Sequence, residues 1–470
     1  MKQLAFLAVA GLLCAQAFAA SGQHALTPDR ALRAAHLMQQ AMAGNIAYEV
    51  VSSLTTEVGP RLAGSEAEAR ARSWAVQKLN ALGFANVRVE PFEVPLWQRG
   101  VERASILSPY PQPLVVTALG GSVATPTAGV RGEIVAFPTL QALQAVPENS
   151  LRGRIAFVDE VMARSRDGSG YGVAVGKRRH AAYSAARAGA SAVLIRSVGT
   201  NSHRFAHAGQ MRRSTEPGEK GVPAAALSAP DADQLQRALA LGEPVEVQLV
   251  LTPQTLPPAE SGNVVAEIVG REAPEEIVLV SAHLDSWDLG TGAVDDAAGV
   301  GIVLGAAKLL MDQLEQPPRR TLRIVLFGSE EVGLVGARAY AERHAASLDQ
   351  HILAAESDFG AGDIWRFDTR VAQERLPAMA AIGEILERLD IAMGNNSAQG
   401  GPDMKYLREA GVPVVELLQD GSDYFDLHHT ANDTLDKIAP DALDQNVAAY
   451  AALLYLVADS TLRFRAPRAD

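Results

Sequence analysis

The second half of the chain alternates between short apolar runs and longer stretches with helical spacing, and this alternation restricts the fold more than any other feature of the sequence. Short apolar runs bounded by turn residues predict buried strands. Strands that alternate with helices form right-handed crossovers and a largely parallel sheet covered by helices. We therefore predict an α/β fold from residue 263 onward, with strands at Val264–Ile268, Glu276–Ser281, Thr321–Phe327, His351–Ala355 and Val412–Leu417 and helices at 296–312, 333–346, 371–390 and 440–462.

Residues 104–258 have a different pattern, with closely spaced prolines and glycines between short apolar runs. Such residues mark turns, so this pattern predicts a β-rich domain inserted into the main one. We divide the chain into a leader at 1–19, a main domain at 20–103 and 259–470, and an inserted domain at 104–258. The elements predicted in the inserted domain are strands at Glu133–Phe137, Arg154–Val158, Ala192–Ile195, Pro223–Leu227 and Val245–Leu251 and helices at His180–Ala188 and Asp231–Leu241.

Residues 1–19 have the layout of a cleavable export signal. Lys2 supplies a positive charge, Leu4–Leu13 is an apolar core, and Ala17-Phe-Ala19 is a small-residue cleavage site. The core is shorter than the roughly 18 residues that a membrane span requires. The only cysteine, Cys14, lies in this leader behind a bulky leucine, which disfavours lipid attachment. We expect an exported protein, periplasmic or secreted, without a membrane anchor or a disulfide.

The charge of the chain disfavours two classes of partner. The formal net charge is −12 at pH 7, and the loss of Lys2 with the leader makes it −13. An acidic chain without a long basic run is not typical of proteins that bind nucleic acid or an anionic membrane. The hydrophobic content of 48% is sufficient for a large buried core.

Acidic residues and histidines follow the predicted strands of the main domain. In a parallel sheet, ligands bind at the carboxyl ends of the strands, so loop residues from distant parts of the chain converge there. Histidine nitrogens and carboxylate oxygens together are donors that zinc accepts. The sequence therefore predicts a metal site that is built from His283, Asp295, Glu331, Asp358 and His429.

The charges of these donors predict two zinc ions rather than one. Asp295, Glu331 and Asp358 carry three negative charges, and a hydroxide that bridges the metals adds a fourth, which balances two Zn²⁺. In two-metal hydrolases the ions are roughly 3.5–4 Å apart. Asp295 is our candidate for the bridging carboxylate, because a tight turn that contains glycine precedes it.

Two further acids are predicted to take part in catalysis. Glu330 is adjacent to Glu331, so the two side chains cannot face one metal in the same way. Glu330 can therefore act as the general base that takes a proton from water and delivers it to the leaving amine. Asp285 lies two residues after His283 on an emerging strand and faces the same side, where it can orient the imidazole.

Each of these patterns also has an ordinary structural explanation. An adjacent pair of glutamates usually begins a solvated helix, and His428 beside His429 is compatible with a structural role. His203 and His207 lie in the inserted domain and are most simply loop residues. His207 could alternatively reach the substrate across a domain or dimer boundary. The order of all five donors, rather than any single motif, favours a metal site.

The motif His283-Leu-Asp-Ser-Trp-Asp-Leu-Gly-Thr-Gly-Ala-Val-Asp-Asp296 resembles the signature of the co-catalytic zinc exopeptidase family that contains carboxypeptidase Q and bacterial leucyl aminopeptidases. The resemblance covers nearly the whole mature chain. It extends through residues 58–65, 95–100, 356–360 and 424–429. By this resemblance Glu330 is the proton shuttle, one zinc is held by His283, Asp295 and Asp358, and the other by Asp295, Glu331 and His429.

The same resemblance implies features beyond the metal ligands. It implies a protease-associated inserted domain, a homodimer, a cis peptide bond between Asp295 and Asp296, and Tyr424 as an oxyanion partner that contacts the substrate. Two stretches depart from the family pattern. Residues 162–177 are more basic and richer in glycine, and the pocket after Gly360 differs. These departures leave the substrate preference open.

We therefore expect a secreted, zinc-dependent exopeptidase that hydrolyses dipeptides or short peptides through a metal-bridging hydroxide, as a carboxypeptidase or dipeptidase. An aminopeptidase on the same site is the first alternative, and it differs only in which end of the peptide is held. A receptor or adhesion module without activity is a second alternative, which the intact set of donors disfavours. The sequence contains no Gly-x-Ser-x-Gly motif of a serine hydrolase.

Overall fold

The computed structural model describes residues 26–212, 214 and 219–465, so the predicted leader at 1–19 lies outside the described residues. The strands of these described residues form two eight-stranded sheets. The described part of the chain begins with three helices and one long strand of the first sheet. These are α1 Pro28–Met42, α2 Ala47–Glu57, α3 Glu66–Ala81 and β1 Ala85–Gln98.

The second sheet is formed by residues 102–251, which are called the insert below. Its elements are β2 Glu102–Ser108, β3 Gln112–Leu114, β4 Val116–Ala118, β5 Val130–Phe137, α4 Leu140–Gln144, β6 Ile155–Val158, α5 Ser169–Arg187, β7 Ala192–Arg196, β8 Ala224–Leu227, α6 Ala229–Ala240 and β9 Glu246–Leu251. The strand order is β3-β2-β9-β5-β6-β7-β8-β4. The domain boundaries and the likeness to a protease-associated domain stay predictions.

The chain then returns to the first sheet and completes it. The remaining elements are β10 Gln254–Ile268, β11 Ala273–His283, α7 Ala298–Gln313, β12 Arg320–Phe327, α8 Val335–Arg343, β13 His351–Glu356, β14 Ile364–Arg370, α9 Leu376–Leu386, β15 Ala392–Met393, α10 Lys405–Glu409, β16 Val414–Gln419, α11 Tyr424–Leu427 and α12 Pro440–Ala458.

The first sheet has the order β1-β10-β12-β11-β13-β16-β14-β15. Its centre, β12-β11-β13-β16, is parallel, as the alternation of strands and helices predicted. The pairs β1–β10, β10–β12 and β14–β16 are antiparallel. The predicted α/β fold is confirmed, although the sheet is mixed, and β14 and β15 were not predicted. The helix expected at 371–390 begins only at Leu376, because β14 extends to Arg370 and a short 3-10 turn, Gln373–Arg375, precedes the helix.

The core of the main part of the chain lies between the first sheet and the helices that cover it. Every residue of α12 from Gln445 to Ala458 is buried, and this helix packs against α1 and α7. A helix that is apolar on all sides belongs in the interior of a large domain or in a membrane. Among the described residues, no helix has the length and apolar character that crossing a membrane requires.

Candidate metal centre

The five predicted metal ligands meet at the carboxyl end of the parallel strands. His283 is the last residue of β11, Glu331 follows β12 and Asp358 follows β13. Asp295 lies in the turn before α7, and His429 follows the single turn of α11. The structure therefore brings together the five side chains that the sequence analysis selected, as expected for loops at the carboxyl edge of a parallel sheet.

Asp295 lies between two groups of donors. On one side, its Oδ1 is 3.0 Å from Nε2 of His283, which is 3.4 Å from Oδ1 of Asp358. On the other side, its Oδ2 is 3.3 Å from Nε2 of His429, which is 2.9 Å from Oε2 of Glu331. The two oxygens of Asp295 thus face different histidines, which is the arrangement required of a carboxylate that bridges two cations.

The chemistry of this site fits a metal ion. The ligand atoms of His283, Asp295 and Asp358 lie within 4.8 Å of one another. Oε1 of Glu331 is buried and has no hydrogen-bond partner in the described part of the chain. Burial raises the pKa of Glu331 and of Asp358; the neighbouring histidines oppose this effect and Asp295 reinforces it. Buried acids that repel one another are stabilised by a divalent cation.

His428 lies beside the second group of donors. Its ring stacks on that of His429 with 3.5 Å between centroids, and its Nε2 is 3.8 Å from Oδ2 of Asp295. The nitrogens of both histidines and an oxygen of Asp295 also lie within 4.8 Å of one another. Burial and then His429 lower the pKa of His428 well below its usual range, so the ring is neutral. His428 is therefore a candidate ligand as well as a packing partner.

Arg61 holds the loop that joins the first two metal donors, and the sequence analysis did not identify it. Its guanidinium is fully buried and donates to three backbone carbonyls of this loop, those of Leu284 at 2.6 Å, Thr291 at 2.6 Å and Gly292 at 2.9 Å. The sequence signal that could have identified Arg61 is its position in the Gly- and Pro-rich stretch 58–65. Its five donors suit a loop whose carbonyls lack secondary-structure partners.

Two buried acids fix the turn around Asp295. Asp433 accepts hydrogen bonds from the backbone N–H groups of Val294 at 2.6 Å and Asp295 at 3.3 Å. Burial and the nearby Asp295 raise the pKa of Asp433 to about 7. Asp296 accepts from the backbone N–H of His283 at 3.0 Å, which ties the turn to β11. The peptide bond between Asp295 and Asp296 is cis, as expected.

Glu330 and Glu331 have different surroundings, as the sequence analysis expected. Glu331 is buried against His429, whereas Glu330 is half-buried and lines a cavity. Burial raises the pKa of Glu330 well above its usual range, and Asp358 and Glu331 add to this effect. A carboxyl group beside the metal donors, but not among them, is in the position of a general base.

Asp285 contacts Glu330 rather than the imidazole of His283. Its Oδ1 accepts a hydrogen bond from the backbone N–H of Glu330 at 3.0 Å. The same oxygen is 3.8 Å from Nδ1 of His283, which lies closer, at 2.9 Å, to the backbone oxygen of Asp285. Asp285 therefore positions the backbone of Glu330, and the tautomer of His283 is set by a backbone carbonyl.

Tyr424 and His207 differ in their access to the cavity. Tyr424 lines the cavity, where a substrate can reach it. His207 is buried and is not among the cavity-lining residues. Its Nδ1 donates to the backbone oxygen of His428 at 2.7 Å, and burial lowers its pKa to about 3. The structure therefore gives His207 a contact with the loop that carries His429, and none with the cavity.

The cavity beside the metal donors has a volume of about 1130 Å³. One wall belongs to the main part of the chain and includes Glu330, Phe359 and Tyr424. The opposite wall belongs to the insert and includes Tyr171 and Arg178 on α5. The first half of α5 was missed because Gly170, Gly172 and Gly176 reduce its helical propensity; the sequence analysis placed a helix only at His180–Ala188.

Comparisons with known proteins agree with this geometry. Residues 263–454 match peptidase family M28. The chain is 35% identical to carboxypeptidase Q of Bos taurus over 417 residues, which cover 89% of this chain and 86% of that protein. A crystal structure of a peptidase M28 precursor from Shewanella amazonensis SB2B is 51% identical, covers 94% of this chain and 99% of its own, and superposes with a TM-score of 0.91.

A zinc aminopeptidase from Bacillus subtilis shares the fold, with a TM-score of 0.62 at 21% identity over 89% of this chain and 98% of its own. The likeness to carboxypeptidase Q spans most of both proteins, and the match to family M28 includes the strand ends that carry the candidate ligands. The chain is therefore a member of peptidase family M28 and a metallo-exopeptidase of that family.

Proposed function

We propose that the chain is an exported di-zinc exopeptidase that hydrolyses dipeptides or short peptides, with Glu330 as its general base. One observation carries the proposal: the two carboxylate oxygens of Asp295 face two histidines that belong to separate donor groups. His283, Asp295 and Asp358 would hold one ion, and Asp295, Glu331 and His429 the other. We prefer Glu331 to His428 as the third ligand because its carboxylate adds, to those of Asp295 and Asp358, the negative charge that two Zn²⁺ require, and its Oε2 lies 2.9 Å from Nε2 of His429.

Two bound zinc ions would polarise the scissile carbonyl and make a water molecule acidic enough to be deprotonated near neutral pH. Glu330 would accept the proton of the attacking water at its carboxylate and later donate it to the leaving amine. The backbone contact with Asp285 holds Glu330 at the edge of the cavity. Tyr424 lines the same cavity and is our candidate partner for the negative charge that develops on the carbonyl oxygen.

Metal analysis and a peptide assay test the proposal together. The purified chain should contain two zinc ions, hydrolyse unblocked dipeptides, lose activity on chelation and regain it when Zn²⁺ is added. Asp295→Asn should lose more than one zinc per chain, because both groups share this side chain, whereas Asp433→Asn should retain most of the metal. Fewer than one zinc per chain, or no hydrolysis of any short peptide by the zinc-loaded protein, would contradict the proposal.

Export and a homodimer belong to the same proposal. The signal-like pattern of residues 1–19 supports export, and the resemblance to the zinc exopeptidases supports a dimer. Cell fractionation combined with mass spectrometry of the mature amino terminus tests the first point, and light scattering on the purified chain tests the second. A cytoplasmic protein with an intact leader would contradict export, and a monomeric mass at assay concentrations would contradict the dimer.

A further inference from the structure

Glu416 is a half-buried acid on the cavity wall that the proposed mechanism does not use. It lies on β16, and its Oε2 accepts a hydrogen bond from the backbone N–H of Gln399 at 3.2 Å. Burial raises the pKa of Glu416; the N–H of Gln399 opposes this effect and Asp368 reinforces it. A carboxylate that is partly removed from water is stabilised when a ligand brings a cation to it.

Two arginines close to Glu416 are engaged with other groups. Arg366, on the neighbouring strand β14, pairs with Asp368 at 2.8 Å. Arg408 lines the same cavity as Glu416 and donates to the backbone oxygen of Gln399. Among the described residues Glu416 has no ion-pair partner. Its negative charge is therefore available to a ligand in the cavity.

The register of β16 places Glu416 about one side-chain length from the candidate metal centre. Ala354 of β13 pairs with Val414 of β16, so the position level with Asp358 is Leu418, two residues beyond Glu416. With a rise of about 3.3 Å per residue and about 4.8 Å between strands, the Cα atoms of Glu416 and Asp358 are about 8 Å apart. Leu418 faces the same side of the sheet as Glu416 and also lines the cavity. A substrate side chain that starts at the metal donors thus passes Leu418 before it reaches Glu416.

We propose that Glu416 binds the cationic side chain of a lysine or arginine next to the scissile bond, so that the enzyme prefers short peptides with a basic residue there. The inference rests on the proposed function and names a substrate class for the same site. Lysine and arginine carry their charge at the end of a long apolar stem. The stem suits Leu418 and the charge suits Glu416, in the order in which β16 presents them.

Steady-state kinetics on matched dipeptides test the inference. Norleucine has an unbranched apolar side chain like the stem of lysine but carries no charge, so Lys-Ala is compared with norleucyl-alanine, and Ala-Lys with alanyl-norleucine. In one of the two orders, the kcat/KM of wild-type protein should be about 10-fold higher for the lysine peptide. In Glu416→Gln, which can still accept from Gln399, this ratio should fall below about twofold, mainly through a higher KM for the lysine peptide, with zinc content unchanged.

Asp167→Asn is the matched control. Asp167 is an exposed acid on the insert wall of the same cavity, and its loss changes the net charge equally. This variant should retain the preference for lysine. A preference that Asp167→Asn lowers as much as Glu416→Gln does would show a general attraction for cationic peptides and would overturn the assignment to Glu416.

Further outcomes distinguish a failure of the inference from a failure of the proposed function. Equal hydrolysis of lysine and norleucine peptides in both orders by wild-type protein, or a retained preference in Glu416→Gln, would overturn the inference and leave the exopeptidase intact. Calorimetric binding of L-lysine and of L-norleucine to the zinc-loaded protein tests Glu416 without turnover. Tighter binding of lysine that is lost in Glu416→Gln supports the inference even if no peptide is hydrolysed, and equal binding overturns it.

Discussion

At the residue scale, the end of β12 separates two adjacent glutamates into different environments. Ser329 adopts a left-handed conformation with φ of 63°, which turns the chain away from the strand direction. Glu331 then packs against His429 at 2.9 Å, while Glu330 faces the cavity and is held through its backbone by Asp285. One carboxylate lies among the candidate metal donors, and the other lies at the cavity, where the proposed general base must be.

Glu330→Gln should retain both zinc ions and reduce kcat by about 10²- to 10⁴-fold, because the amide keeps the size of the side chain but cannot accept the proton. Turnover of a dipeptide and zinc content per chain are the two measurements. Glu331→Gln is the control and should lose zinc as well as activity. Near-normal turnover of Glu330→Gln would remove this residue from the mechanism.

At the scale of elements, the insert holds the loop that carries His429. The backbone N–H of Ala208 donates to the backbone carbonyl of His429 at 2.9 Å. The side-chain amide of Asn201 donates to the backbone carbonyl of Asp426 at 2.9 Å. His207 donates to His428 at 2.7 Å. The preceding helix, α11, has only four residues, too few to fix the loop by its own hydrogen bonds. The proposed second zinc site would therefore depend on contacts with the insert.

His207→Ala should weaken zinc binding by about 10-fold, because groups that support a metal ligand commonly affect affinity on this scale. Competition with a chromophoric chelator measures the affinity, and circular dichroism reports the fold. His203→Ala is the control, since this histidine is exposed on the same stretch of the insert. Equal zinc affinity of the two variants would show that the contact with His428 does not support the metal centre.

At the scale of the whole molecule, the residues at the two ends of the first sheet have different roles. The carboxyl ends of its strands carry the candidate metal centre, and His351 lies at the opposite end, as the first residue of β13. His351 is buried, its Nε2 is 2.9 Å from the hydroxyl of Tyr340, and its Nδ1 is 3.2 Å from the backbone oxygen of Ser347. Burial lowers the pKa of His351 to about 4.

The lowered pKa predicts how stability changes with pH. The unfolded chain binds a proton at His351 below its ordinary pKa of 6.5, and the folded chain binds it only below about 4. The free energy of unfolding should therefore fall by about 3 kcal/mol from this residue as the pH drops from 6.5 to 4. Urea titrations of zinc-free protein should show that His351→Gln lacks this part of the decrease, whereas His203→Gln, at an exposed site, retains it.

The sequence by itself determined the central strands and the candidate metal donors that the fold brings together. Buried strands have a local signature of apolar residues, and parallel connections place their carboxyl ends at one edge, so His283, Glu331 and Asp358 could be brought together without coordinates. Asp295 and His429 followed from their motifs and from the family resemblance. The different positions of Glu330 and Glu331 were also predictable, because adjacent side chains cannot share one direction.

Only the tertiary structure identified the residues that act across large separations in the chain. Arg61 reaches the loop between His283 and Asp295, Arg178 comes to the metal centre from the insert, and neither contact has a local signature. The glycine-rich start of α5 and the antiparallel strand β14 were missed for the same reason, since packing outweighs weak local propensity. Hydrophobic pattern is local and can be read in the sequence, whereas the partner of a buried charge is chosen by the assembled fold.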